Sequence, residues 1–234
     1  MKNQHFIPSI YNYCDRWCER CSKSNQCRVY ADELENPLPV VELDLQSNAF
    51  WERMTNNLDD AIGMINQMAE EMGINIEELE PDLPPVIHQR FAALIKETVT
   101  YGLEVNIWLN DFRHHMADSF NIIETRNSDR DSEILNAYET VRWYSLQIGV
   151  KIKRASARFE QDDHETFKDD QDGSAKVALI SLEGSINAFA KILKNFPLYE
   201  DSILVFLAKL AIIKQEVNHL FPEAESFKRP GFDC

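Results

Sequence analysis

Glycine and proline are scarce, at 7 and 9 of 234 residues. So few chain punctuators argue against sandwiches and barrels, whose many turns need them, and against the Gly-rich loops that cradle phosphates. No G-x-S-x-G elbow and no H-E-x-x-H pair occurs, which removes two common hydrolase signatures. Long apolar runs are missing as well. The longest, Ile203–Ile213, is interrupted by Lys209 and falls short of the roughly 18 residues needed to span a bilayer. The opening Met-Lys-Asn-Gln-His-Phe-Ile-Pro lacks the apolar stretch of a secretory leader. These absences predict a cytoplasmic protein with no membrane partner. Positive charge is also in deficit: 24 Lys and Arg face 39 Asp and Glu, a net charge of −15. Such a chain repels phosphate backbones, so nucleic acid is not an expected partner. A basic stretch at Lys151, Lys153, Arg154 and Arg158 is followed at once by Glu160, Asp162 and Asp163, which predicts pairing within the chain.

What the chain does contain is enough apolar material for a core: 44% of residues are hydrophobic and 27% charged. The apolar positions recur at helical spacing. Trp51, Met54, Leu58, Ile62, Ile65, Met68 and Met72 outline a first helix over 47–73, and a Pro-rich acidic loop follows over 74–85. Ile87, Phe91, Leu94, Thr98, Tyr101, Val105, Trp108, Phe112 and His115 alternate by four and three, the pattern of a bundle seam. A third helix has two apolar faces, one through Ile134, Tyr138, Val141, Ile148, Ile152 and Phe159, the other through Leu135, Trp143, Leu146 and Val150. That arrangement predicts a central helix with partners on both sides. Residues 160–173 read as a long acidic loop. A fourth helix uses Leu179, Leu182, Ile186, Phe189 and Leu193 and stops at Phe196-Pro197. A fifth uses Ile203, Phe206, Leu210, Ile213, Val217 and Leu220 and ends at Pro222. The expected fold is all-α, a helical bundle of about five helices with a small N-terminal four-cysteine metal-binding segment. Its parts would be that segment over 1–30, a linker over 31–46, the bundle over 47–222 and a tail over 223–234.

The segment is defined by Cys14, Cys18, Cys21 and Cys27, four of the five cysteines within fourteen residues; Cys234 ends the chain. In a reducing compartment a short cysteine cluster points to a metal site more than to a disulfide framework. Four clustered thiolates repel one another, and a multivalent cation or an iron–sulfur cluster removes that cost. The C-x3-C-x2-C-x5-C spacing leaves zinc, an iron–sulfur cluster, or free thiols open. Its first three cysteines match the triplet of radical S-adenosylmethionine enzymes, but the fourth thiol and the missing strand–helix alternation set it apart. Lys2, Arg16, Arg20, Lys23 and Arg28 outweigh Asp15 and Glu19 in residues 1–30, and positive neighbours favour thiolates. Tyr11, Tyr13, Trp17 and Tyr30 would shield the cluster or staple it to the body. The run Tyr13-Cys14-Asp15-Arg16-Trp17-Cys18-Glu19-Arg20-Cys21 resembles the opening of a group of uncharacterised bacterial proteins. These share a Cys-Asp-x-Trp-Cys-Glu-Arg-Cys start followed by a helical body, and the resemblance implies no named activity.

A second candidate lies in the bundle. Residues three apart share a helix face and can reach one ion. Glu216 and His219 have the Glu-x-x-His form, and Asp111 with His114, or with His115, is a looser analogue. Glu104 lies one heptad before Asp111 beside the same seam, Glu183 lies beside the fourth-helix seam, and Glu139 suits the second apolar face of the third helix. These groups share a level only if a loop over 160–173 crosses the length of the bundle, as in ferritin-like di-iron proteins. The same positions also suit ordinary solvated charges. The expected function is therefore metal binding in a structural or interaction role, with an unidentified protein partner. The alternative is a redox or oxygen-handling protein holding iron.

Overall fold

Apolar side chains at helical spacing must bury a stripe, and the stripes dictate this fold. In the computed structural model, residues 5–35, 89–122, 128–157 and 165–233 are described, with a few more between 55 and 70. Among them are five α-helices and no strand: α1 (Arg28–Glu35), α2 (Gln89–Ile122), α3 (Ser128–Ala157), α4 (Glu165–Asn195) and α5 (Glu200–Leu220). The all-α bundle is as the periodicity predicts. By contact the chain divides into two units, residues 29–85 and residues 1–28 with 86–234. In the first unit, residues near 58 and 62 are helical, with Leu58 and Ile62 exposed. Most of the helix expected over 47–73 and the loop over 74–85 lie outside the described residues.

The larger unit contains a bundle of α2–α5. Phe91, Leu94, Thr98, Tyr101, Val105, Leu109, Phe112 and Met116 of α2 are buried. This is the expected seam from Phe91 on, but with Leu109 buried beside a half-buried Trp108 and Met116 in place of an exposed His115, while Ile87 lies outside the described residues. On α5, Ile203, Phe206, Leu210, Ile213 and Val217 are buried, as read from the sequence. Paired residues fix the directions. Asn106 Nδ2 donates to Ser145 Oγ (2.9 Å), linking α2 to α3. Arg154 binds Asp170 and Lys191 approaches Glu133, so α3 and α4 are antiparallel. Phe189 stacks on Phe206 between α4 and α5 (5.5 Å). Trp108 Nε1 donates to Ser202 Oγ (3.0 Å) near the start of α5, and Arg90 Nη2 donates to the Leu220 carbonyl (3.4 Å) at its end. Each helix therefore runs opposite to its neighbours, up-down-up-down, with short connections.

Four expectations are corrected. Residues 165–173 belong to α4 and are not loop. Gly173 lies inside the helix because a Cβ there would collide with the Tyr13 ring, so its presence reflects packing and not a break. Residues 31–35, expected as linker, form α1, because Ala31, Glu33, Leu34 and Glu35 are good helix formers. The second apolar face of α3 is mostly exposed among the described residues: Leu135, Leu146 and Val150 are between 42% and 60% accessible. The more enclosed helix is α4, whose Ala175, Ala178, Ser181, Ser185 and Ala188 are all buried; small side chains let neighbours approach closely. Finally, residues 223–233, read as part of a tail, pack against the N-terminal segment, which Trp17 fastens to α3 as the stapling reading of its aromatics expected. Ala224 is buried, Phe227 lies 5.2 Å from Tyr13, and Gly231, in the left-handed region at φ +79°, packs against Ile7 and Ile10.

Candidate metal centre

The four cysteines sit at the edges of three tight 3-10 turns, Ile10–Tyr13, Cys18–Arg20 and Ser24–Gln26. Cys14 follows the first turn, Cys18 opens the second, Cys21 closes it and Cys27 closes the third. The sequence spacing is thus the spacing of the turns. Between Cys14 and Cys18 the chain reverses through Arg16, whose φ of +58° is uncommon for a residue with a side chain. Asp15 supports that reversal, its Oδ1 accepting the Trp17 N–H (3.1 Å) as Asx turns do.

Asp15 also ties the turns to α3. Its Oδ2 accepts the Tyr144 hydroxyl (2.8 Å) and its carbonyl accepts the Trp143 indole N–H (3.0 Å). Trp17 stacks on Trp143 with centroids 5.2 Å apart and meets Tyr144 edge-on at 5.9 Å. The Arg20 guanidinium lies 3.8 Å over the Trp17 ring and binds both Glu139 and Asn136. Ile10, 1% accessible, anchors the front of the segment, and Arg154 Nη2 reaches Asn12 (3.4 Å). Burial and the adjacent Asp15 carboxylate hold the Tyr144 hydroxyl well above its usual pKa, so it donates.

All four cysteines are free of disulfides. The Cys14 thiol donates to the Tyr11 carbonyl (3.4 Å). Burial pushes its pKa up, against the pull of the Arg16 backbone N–H and the charges of Lys151 and Arg16. Cys21 Sγ accepts the Lys23 backbone N–H (3.4 Å). Lys151, 4% accessible on α3, has its pKa lowered to about 8, first by burial and then by Arg154 and Arg16, while Cys14 opposes the shift. Two sulfurs therefore receive backbone N–H groups, and buried positive charge faces Cys14. Yet no three His, Cys, Asp or Glu side chains among the described residues stand together as a ready metal-binding set. A cavity of about 300 Å³ adjoins the turns, lined in part by Cys14, Cys21, Trp17, Arg20, Tyr144 and Arg229.

The bundle candidates do not converge. Glu104 pairs with Lys209, Glu183 with Lys214 (2.7 Å) and Glu139 with Arg20. Asp111, His114, His115, Glu216 and His219 are exposed, and His115 lies 5.9 Å from the Tyr199 ring. The reason is topological. With a short connection after α3, α4 returns beside it, and α5 ends level with the start of α2. Glu216 and His219 then lie at the opposite end of the bundle from Asp111 and His114, roughly 30 Å away at 1.5 Å per residue.

Sequence reasoning named the cysteines but missed the groups that position them, Asp15, Trp143 and Tyr144. The available signal was Trp143, an aromatic on the otherwise exposed face of α3. No helix among the described residues is long and apolar enough to cross a membrane. No protein-family model matches the chain, and no curated protein or solved structure is similar to it.

Proposed function

We propose that the N-terminal segment is a thiol-ligated metal centre, with Cys14, Cys18, Cys21 and Cys27 as ligands and zinc or an iron–sulfur cluster as occupant. The observation that carries this reading is the run of three turns that places four reduced cysteines at successive turn edges. The N–H group donated to Cys21 adds support, since it stabilises thiolate charge; at Cys14 burial outweighs the neighbouring cations and favours the thiol. The sulfurs are not drawn together as they stand, so binding would turn the side chains inward and release their protons, and affinity would rise with pH. Among the described residues the bundle carboxylates do not gather: Glu104, Glu139 and Glu183 pair with cations, and Asp111 and Glu216 lie toward opposite ends of the bundle, which favours the cysteine segment as the centre.

The test is metal analysis of protein purified anaerobically. A brown protein containing iron and sulfide identifies the cluster; a colourless protein containing zinc identifies zinc. Changing all four cysteines to Ser should remove the metal. Protein that arrives metal-free, and then takes up neither added zinc nor iron with sulfide, overturns the reading.

A further inference from the structure

The four-cysteine segment is fastened to the bundle by contacts that do not use sulfur, and a cavity opens beside two of its thiols. From these two observations we propose that the segment is an open, exchangeable thiol centre reached through that cavity, and not a sealed structural knuckle. For what the centre holds, the proposal rests on the metal reading above; for docking and access it stands on the geometry alone.

The fastening comes first. Structural zinc modules owe their fold to the ion, and chelators unfold them. Here other contacts hold the segment. Asp15 accepts three hydrogen bonds, one within the turn and two from α3. Trp17 is held between Trp143 and the Arg20 guanidinium. Behind them, Ile10 is buried and Tyr13 packs on Gly173 and Phe227. None of these contacts uses a cysteine sulfur.

Access is the second observation. How readily a thiol reacts or exchanges depends on whether small species can reach it. The cavity of about 300 Å³ is lined by Cys14 and Cys21 and matches the lower end of small-molecule sites. Thr140, on α3, also lines it, so a larger side chain there would reduce the space while leaving every cysteine in the chain unchanged. The cavity thus suits compact, sulfur-seeking species, a metal ion carried by a small chelator or a small thiol reagent.

Two arms test this on the full chain. In metal-depleted, reduced protein, iodoacetamide labelling is followed at each cysteine by peptide mass spectrometry; the thiolate sulfur attacks the methylene carbon and iodide leaves. Thr140→Phe should slow labelling of Cys21 about tenfold and leave Cys27 within about twofold, because access sets thiol reactivity. An equal effect on both, or none on either, overturns the access claim. In the second arm, circular dichroism reads the coupled signal of the stacked Trp17 and Trp143 rings. That signal should survive EDTA treatment and the four Cys→Ser changes, and be lost in Trp17→Ala. If EDTA or the Ser changes alone abolish it, the ion holds the segment and the proposal fails. If both arms behave as expected but the protein binds no zinc or iron, the metal reading fails while docking and access stand.

Discussion

The N-terminal segment and the bundle interior both pack against α3 and α4, yet they are held by different kinds of contact. The interior is an apolar seam: Phe112, Ile148, Leu182, Phe189 and Ile213 are fully buried, and burial of each contributes on the order of 2 kcal/mol. The segment has one fully buried apolar anchor, Ile10; otherwise it depends on directed contacts, an aspartate with three hydrogen bonds, an indole stack and a guanidinium over a ring. Such contacts contribute about 1 kcal/mol each, but they fix orientation, which a seam does not. The difference suits a scaffold that bears load and a segment that must hold four sulfurs in order.

The comparison breaks most visibly in the interior. Phe189→Ala removes a ring that packs on Trp108 and Phe206, and should cost about 3–5 kcal/mol. Urea unfolding should show this as one large shift in midpoint, shared by far-ultraviolet ellipticity and tryptophan fluorescence. A shift under about 1 kcal/mol would mean the site is not close-packed. Trp17→Ala, at the segment, should cost less, about 1–2 kcal/mol for the lost stack and edge contact. Its effect should be local: proteolysis before residue 28 accelerates, while the urea midpoint of the bundle moves much less.

These two regions were unequally legible in the sequence. Seam positions such as Phe91, Tyr101, Leu182 and Leu210 follow from spacing alone, because a helix with one apolar stripe has one way to bury it. The four cysteines were visible as a cluster in the sequence, but fourteen residues can extend to about 45 Å, so the turns that carry them at their edges were not. For the bundle carboxylates the sequence left both a shared site and ordinary solvated charges open, because convergence depends on the level of one helix against another. That level depends on how much of 160–173 is loop, and residues 165–173 are helix, with Gly173 inside it. Its neighbour Tyr13, 160 positions away in the chain, explains the glycine, and no local pattern contains that fact. Asp15 was legible as a turn former but not as a partner of Tyr144, for the same reason.

A smaller effect separates the two ends of the segment's support. Asp233 accepts hydrogen bonds from the Arg229 backbone N–H, Nε and Nη2 (2.9–3.0 Å), and these bonds, ahead of the opposing cost of burial, lower its pKa from 3.8 to about 2. A carboxylate with a lowered folded-state pKa binds fewer protons folded than unfolded across that window. Its stabilising contribution is therefore complete above about pH 4 and fades as pH falls toward 2. Asp233→Asn should weaken the C-terminal turn at pH 6 and leave the difference from wild type near zero at pH 2. Carboxyl carbon NMR of Asp233 should titrate below pH 3; a midpoint near 3.8 would show that the Arg229 fork is not formed in solution.

The smallest expected effect is at the bundle carboxylates, and it sharpens the comparison most. Glu183 meets Lys214 with side chains 59% and 35% accessible, so solvent screens the pair and Glu183→Gln should cost under about 1 kcal/mol. A metal ligand behaves otherwise: its loss removes bound metal. Metal content per chain should therefore be unchanged in Glu183→Gln, and likewise in Glu216→Gln or His219→Ala, whose side chains are exposed and far from Asp111. A fall in iron or zinc in any of these variants, with the four cysteines intact, would place a ligand on the bundle. The segment would then share the metal chemistry that its directed contacts and turn-edge sulfurs now claim alone.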